Sequence, residues 1–210
     1  MHDRKQFGRE NPRCAADVGL VLDGSYSIND ESWKDILEAA KALVDSFDVS
    51  EEGAHIGIVT YSTNAKREVG FDTFKGDDLN AVNIKRAIDH IHHEKGDTYI
   101  DKGLKMANDD LFDRSKGMRG IMVKGLHVSK YCILFTDGVQ TGNATVSNME
   151  AYKLRAKGVT VYTLAVGDVR SIGVKDLYDI AGHQDRFIRI DDYSKLAKQF
   201  VVIKERECGM

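Results

Sequence analysis

Residues 17–28 read DVGLVLDGSYSI and place three oxygen-bearing side chains directly after an apolar run. A short apolar run such as DVGLVL is typical of a buried β-strand. Asp23, Ser25 and Ser27 follow it so closely that they supply more oxygen donors than a turn needs for its geometry alone. The stretch therefore predicts a strand whose carboxyl end carries half of a metal site.

Strand and helix patterns alternate along the rest of the chain. Apolar strand patterns occupy residues 17–22, 55–62, 66–71, 131–136, 159–167 and 186–190. Apolar residues at helical spacing occupy residues 30–47, 79–93, 99–112, 146–158, 174–182 and 192–205. This alternation predicts a doubly wound α/β fold, with a mostly parallel central sheet, one antiparallel edge strand and helices on both faces. We assign residues 1–15 to a polar lead-in and residues 16–210 to one domain.

Composition and motifs exclude several classes of function. The net charge of −3 over 210 residues gives no basic footprint for nucleic acid. No apolar run reaches the length of about 18 residues that a membrane span requires. The sequence contains neither a phosphate-binding loop nor a nucleophile elbow, so we expect no enzymatic activity.

Two further segments supply oxygen donors at matching places. Thr98 opens a predicted helix within GDT, and Asp137 follows the strand pattern ILFT. Loops at the carboxyl ends of parallel strands gather on one face, so these donors should meet Asp23 and the two serines there. Hydroxyls and carboxylates without His or Cys select a hard cation, which we expect to be Mg²⁺, with Mn²⁺ or Ca²⁺ as alternatives. Two carboxylates would leave the shell neutral and incomplete, ready for an acidic group of a partner.

Each of these residues also has an ordinary structural interpretation. An aspartate at a strand end is more often a turn or cap residue than a ligand. Ser27 or Asp30 could equally cap the helix that follows. The combination of three such segments in this order is what favours a metal site.

The segments DVGLVLDGSYSI, GDT and ILFTDG resemble the von Willebrand factor type A domain family, which includes the inserted domains of integrins. The resemblance covers about residues 16–205. It implies a metal-ion-dependent adhesion site in which a Glu or Asp of the ligand completes the shell. It also implies that the two serines and the threonine bind the ion directly and that the aspartates often act through water. The implied metal residues are Asp23, Ser25, Ser27, Thr98 and Asp137.

Cysteines and a sequon favour an extracellular chain. Cys14 and Cys208 flank the predicted domain, and a disulfide between them would join its two ends. Two unpaired surface thiols are the alternative. Cys132 lies inside a strand pattern and should be buried, and Asn143 begins an N-glycosylation sequon. The flanking cysteines resemble those of the matrix branch of the family, which implies secretion into the extracellular matrix.

The predicted function is adhesion to a matrix protein, plausibly collagen-like, through the divalent ion. The alternative is a structural or self-assembling matrix domain whose contacts do not use the metal, with tandem domains or self-association as further expectations. The basic segment 113–129 is interpreted as a flexible loop or small hairpin, with a second contact surface as the alternative. That surface would comprise Arg114, Lys116, Arg119 and Lys124.

Three histidines, His90, His92 and His93, lie late in the predicted helix 79–93. We interpret them as a solvated helix end, where partial positive charge is favourable. A weak metal site between His90 and His93, which helical spacing places on one side, is the alternative.

Overall fold

The computed structural model describes residues 15–138, 140–166 and 174–190, and the predicted helix 192–205 lies outside these ranges. Within them, seven strands form the sheet. They are β1 (Ala15–Asp23), β2 (Ala54–Tyr61), β3 (Ala65–Val69), β4 (Met122–Val123), β5 (Leu126–Thr136), β6 (Thr160–Val166) and β7 (Phe187–Ile190). The strand order is β3-β2-β1-β5-β6-β7, and β4 pairs with the start of β5.

β1 is the central strand of the sheet. It pairs in parallel with both β2 and β5 over almost its whole length. The pairs β5–β6 and β6–β7 are also parallel, whereas β3 is antiparallel to β2 at one edge. The predicted fold class, a mostly parallel sheet with an antiparallel edge strand, is confirmed.

Five described helices cover the two faces of the sheet. They are α1 (Asp30–Asp45), α2 (Ala81–Asp89), α3 (Ile100–Met106), α4 (Ala144–Ala156) and α5 (Val174–Ala181). Apolar residues of α1 and α2 pack with Val18 and Leu20 of β1, and those of α3, α4 and α5 pack with Val21. Because successive side chains of a strand point to opposite faces, β1 contributes to both halves of the core.

The second helix is shorter than the spacing predicts. The prediction extended to residue 93, but α2 ends at Asp89. The main-chain N–H of His90 donates to the carbonyl of Ala87 and that of Ile91 to the carbonyl of Ile88, both at 3.1 Å, which tightens the last turn. The loop that follows instead bonds to the segment after β1, since the N–H of Lys95 donates to the carbonyl of Gly24 at 3.0 Å.

The basic segment forms a hairpin at its carboxyl side. β4 and the start of β5 are joined by Lys124 and Gly125, whose φ angles of 48° and 84° are both positive. Two positive φ angles are what a tight two-residue hairpin turn requires, and glycine adopts one at little cost. Pairing with β4 extends β5 back to Leu126, five residues before the predicted start at Tyr131.

Candidate metal centre

Asp23 ends β1 in a fully buried position and is held by three donors. Its Oδ1 accepts the main-chain N–H of Ser25 at 3.0 Å. Its Oδ2 accepts the hydroxyls of Tyr61 at 3.0 Å and Thr136 at 2.7 Å. Tyr61 ends β2 and Thr136 ends β5, so the two strands beside β1 both orient this carboxylate. The sequence motifs did not single out Tyr61 or Thr136.

Burial raises the pKa of the Asp23 carboxyl to about 6, although hydrogen bonds from Ser25 and Thr136 oppose the shift. The negative charge of Asp137 raises it further. Asp137 is therefore close enough for the two carboxylates to repel each other. A buried acid beside a second acid is a place where a cation would relieve an electrostatic cost.

The two serines of the loop after β1 face each other. The hydroxyl oxygens of Ser25 and Ser27 are 3.1 Å apart. Ser25 is fully buried, whereas Ser27 and its neighbour Tyr26 are exposed. The cap of α1 is Asn29, whose side chain accepts the N–H groups of Glu31 and Ser32. Ser27 and Asp30 are thus not needed to cap the helix.

Thr98 lies on the loop between α2 and α3 and is buried. Its carbonyl accepts the N–H of Thr141 at 2.9 Å, and its own N–H donates to the Thr141 hydroxyl at 3.3 Å. The same loop meets the first one, because the N–H of Tyr26 donates to the carbonyl of Gly96 at 2.8 Å. The segment after β5 and the loop after β1 therefore flank Thr98 from two sides.

All five sequence-predicted metal residues thus lie at the carboxyl edge of the sheet, Asp23 as the last residue of β1 and the other four on the loops there. Their oxygens form a mixed set of two carboxylates and three hydroxyls. In the described ranges, no three His, Cys, Asp or Glu side chains group in a way that could hold a metal ion. A cation at this edge would therefore depend on the hydroxyls as well as on the two carboxylates.

Asn143, the predicted glycosylation position, is exposed and caps α4. Its Oδ1 accepts the N–H of Thr145 at 2.9 Å. A glycan would be attached to the other side-chain atom, Nδ2, so the cap and a glycan are compatible. Asn143 follows Thr141 and Gly142, which bond to Thr98, and so lies at the rim of the centre.

The four basic residues of the predicted second contact surface lie near the other end of the sheet, and not all of them are free. Arg119 donates from Nε to Asp17 at 2.7 Å and from Nη2 to the carbonyls of Ala16 and Gly53. Its side chain is 10% exposed and that of Asp17 is fully buried. Arg119 is thus an internal ion-pair residue and has to be removed from the predicted surface.

The other three basic residues of that set are more exposed. Lys116 pairs with Asp110, and Lys124 pairs with Glu52 at 2.9 Å. Arg114 is exposed in a short 3₁₀ turn. Acidic neighbours therefore offset two of these charges, which weakens the case for a polyanion site there.

The predicted disulfide lies outside the described residues, because Cys14 and Cys208 both fall beyond them. Cys132 is buried in β5, and burial raises the pKa of its thiol to about 12. A thiol with such a pKa is neutral at physiological pH and unreactive.

The family model for the von Willebrand factor type A domain matches residues 17–201. The chain belongs to this family. The collagen alpha-5(VI) chain of Homo sapiens is 30% identical to this type A domain chain over 208 residues, which are 99% of this chain and 7% of the collagen chain. Matrilin-2 of Mus musculus is 27% identical over 197 residues, which are 91% of this chain and 19% of the matrilin. The chain thus spans a small part of the length of these matrix relatives.

A solved structure shares the fold of this type A domain. Proximal thread matrix protein 1 from the mussel byssus, solved with zinc in its MIDAS motif, superimposes with a TM-score of 0.77 at 26% identity. The match covers 93% of this chain and 48% of that protein. Among the helices that the structure of the type A domain describes, none has the length and apolarity needed to cross a bilayer.

Proposed function

We propose that this type A domain binds a divalent cation and, through it, an acidic side chain of an extracellular matrix protein. The observation that supports this most strongly is the pair of Ser25 and Ser27 hydroxyls, 3.1 Å apart, beside the buried carboxylate of Asp23. Thr98 and Asp137 complete the proposed ligand set. Bound there, the cation would supply a Lewis-acidic position for a partner carboxylate.

The chemistry of the donor set favours a hard cation, because hydroxyl and carboxylate oxygens are the ligands that Mg²⁺, Mn²⁺ and Ca²⁺ share. Three of the five proposed ligands are neutral hydroxyls, and Mg²⁺ is commonly bound through only one or two carboxylates. We therefore propose Mg²⁺ as the preferred ion, with Mn²⁺ and Ca²⁺ as alternatives. Zinc occupies the corresponding motif of the mussel protein, but a set without His or Cys does not favour it.

The residues around the centre support a binding role rather than catalysis. The Ser25 hydroxyl pairs with the Ser27 hydroxyl, and the imidazole of His93 faces the main-chain oxygen of Ser25 rather than its hydroxyl. His93 is therefore not arranged as a base for either serine hydroxyl, as a histidine beside an activated nucleophile would be. Tyr26 is 73% exposed next to the two serines and provides an aromatic surface for a protein ligand. Similarity to collagen VI and matrilin-2 supports a secreted matrix protein with a matrix partner, for which collagen is our proposal.

The metal part of the proposal is tested by Mg²⁺ titration calorimetry on the full chain. Ser25→Ala should weaken Mg²⁺ binding by at least about 10-fold, the smallest loss typical of residues that merely support a metal ligand. Ser129→Ala is the matched control, since Ser129 lies near the amino end of β5, at the other edge of the sheet. Equal affinity of the two variants would contradict the proposed ligand set.

The adhesion part is tested on immobilised type I and type VI collagen by surface plasmon resonance. Binding in Mg²⁺ should disappear in EDTA, and Ser25→Ala should reproduce that loss without EDTA. Binding that persists in EDTA would remove the metal from the mechanism. If the domain bound neither collagen while its Mg²⁺ affinity was intact, collagen would be rejected as the partner and the metal site would stand.

A structural or self-associating role without the metal is the second candidate. It is favoured by two exposed apolar residues at the hairpin end of the molecule, Ile121 at 66% and Met122 at 56% exposure. Concentration-dependent sedimentation that is unchanged by EDTA but abolished by Met122→Glu would support this role.

A further inference from the structure

His93 is held between two loops rather than solvated. Its side chain is 9% exposed, and its ring lies parallel to the indole of Trp33 in α1, with centroids 4.9 Å apart and an angle of 11°. It lies beyond the end of α2, so the interpretation as a solvated helix end is wrong for this residue. His90 contacts the carbonyl of Arg86 through Nδ1, at 2.7 Å.

The ring of His93 contacts the loop that carries the two serines. Its Nε2 lies 3.4 Å from the main-chain oxygen of Ser25, and its Nδ1 lies 3.2 Å from Oδ1 of Asp30. A carbonyl oxygen only accepts hydrogen bonds, so Nε2 is the donor to Ser25. The contact to Ser25 is made to the backbone, which leaves the hydroxyl of that serine free to turn towards Ser27.

Three neighbouring contacts join the same two loops. Lys95 reaches the Asp30 carboxylate with its Nζ at 2.9 Å. Its main-chain N–H donates to the carbonyl of Gly24, and the N–H of Tyr26 donates to the carbonyl of Gly96. Lys95 has a φ of 52°, an unusual conformation for a non-glycine residue, and one that persists where surrounding contacts fix it.

We propose that His93 is a positioning residue that fixes the backbone of Ser25 relative to the loop carrying Thr98. The ring packs on Trp33, donates to Ser25 and contacts Asp30, so it ties both loops to the start of α1. Thr98 follows five residues after His93 on the same loop. The inference rests on the proposed metal site. It assigns to His93 the role of keeping the segments that carry Ser25 and Thr98 at a fixed distance and orientation relative to each other.

His93→Phe is the decisive variant, because phenylalanine keeps the stacking on Trp33 and removes both polar contacts. On the full chain, we expect Mg²⁺ to bind about 10-fold more weakly than to the wild type, as for other residues that orient metal ligands. His92→Phe, at the exposed neighbouring position, should bind Mg²⁺ like the wild type. Melting temperatures in EDTA should be similar for all three proteins, which separates positioning from general stability.

His93→Gln provides the rescue arm, since its carboxamide N–H can donate to the Ser25 carbonyl in place of Nε2. It should recover a substantial part of the Mg²⁺ affinity lost in His93→Phe. Wild-type affinity in His93→Phe, or equal losses in the Phe and Gln variants, would overturn the positioning role while the metal site stands. If the wild type itself fails to bind Mg²⁺, the proposed function fails and this inference falls with it.

Discussion

Asp23 is an acid placed where water does not reach it. Three hydrogen bonds partly compensate its burial, yet the pKa of the carboxyl is still raised to about 6. At neutral pH the metal-free domain must therefore hold a poorly solvated negative charge. A cation at this position would remove that cost, so affinity for metal and instability without metal have the same origin.

Asp23→Asn should stabilise the metal-free domain at neutral pH and abolish Mg²⁺ binding. A pKa raised from 3.8 to about 6 means that the folded state holds the Asp23 proton more tightly than the unfolded state does. The stability it contributes is fully present below pH 3.8 and is lost as pH rises to about 6, a change on the order of 3 kcal/mol. Urea unfolding in EDTA across this range should show the decline in the wild type and not in the variant. If the free energies of unfolding of the two proteins changed with pH in parallel, the raised pKa of Asp23 would be contradicted.

At the residue scale, the sequence predicted the oxygen donors but not what holds them. Asp23 and Asp137 were recognisable because each follows an apolar strand. The bond of Tyr61 to Asp23 depends on the register that sets Asp23 opposite Tyr61 across β1 and β2. Local sequence carries no information on such a register. The hydrogen bond from Tyr61 to the Asp23 carboxylate could therefore be found only in the structure.

At the scale of an element, the sequence predicted the helix that contains Gly103 but not the contact that requires a glycine there. Helical spacing predicted a helix through this glycine, and α3 is indeed there. A Cβ at Gly103 would lie 2.6 Å from Cδ1 of Tyr61, so the glycine lets α3 approach the tyrosine that bonds Asp23. The continuation of α3 as a π-helical turn over Ala107–Leu111 was not predicted. Its carbonyl at Asn108 accepts from Lys157, a residue far away in sequence.

The basic segment has a structural role through Arg119, and Arg119→Met tests it. The change leaves the buried Asp17 carboxylate without its cation, so the free energy of unfolding should fall by about 3 kcal/mol or more. Lys124→Met, which removes an exposed pair with Glu52, is the matched control and should cost less than about 1 kcal/mol. Mg²⁺ affinity should stay unchanged in both variants, because the metal centre lies at the other end of β1. Similar urea midpoints for the two variants would show that the Arg119–Asp17 pair stabilises the domain no more than the exposed Lys124–Glu52 pair does.

At the scale of the whole molecule, alternating strand and helix patterns were enough to predict a parallel sheet covered on both faces. They could not predict the strand order, since every buried strand has the same apolar composition. The order places β1 in the centre, with Asp23 between the ends of β2 and β5. Neither the periodicity nor the motifs predicted this arrangement.

A count of reactive thiols tests the predicted link between the chain ends. With a Cys14–Cys208 disulfide, the unreduced native protein should show no reactive thiol, because Cys132 is buried with a pKa of about 12. In guanidinium chloride one thiol should appear. If the terminal cysteines are free, two thiols will react before unfolding and all three cysteines afterwards. The measurement is a thiol titration with a chromogenic disulfide reagent, and Cys132→Ala should remove the thiol exposed by unfolding.

The central place of β1 also governs how the domain would respond to tension. A pull on the chain ahead of Ala15 that is resisted at the opposite edge of the sheet acts along β1, whose hydrogen bonds to β2 and β5 run across that direction. Both ladders are then loaded in shear and must rupture together, unlike the bonds of an edge strand that is peeled away one at a time. A fibre of such units would then carry load through its central strand, at whose far end the proposed metal site lies.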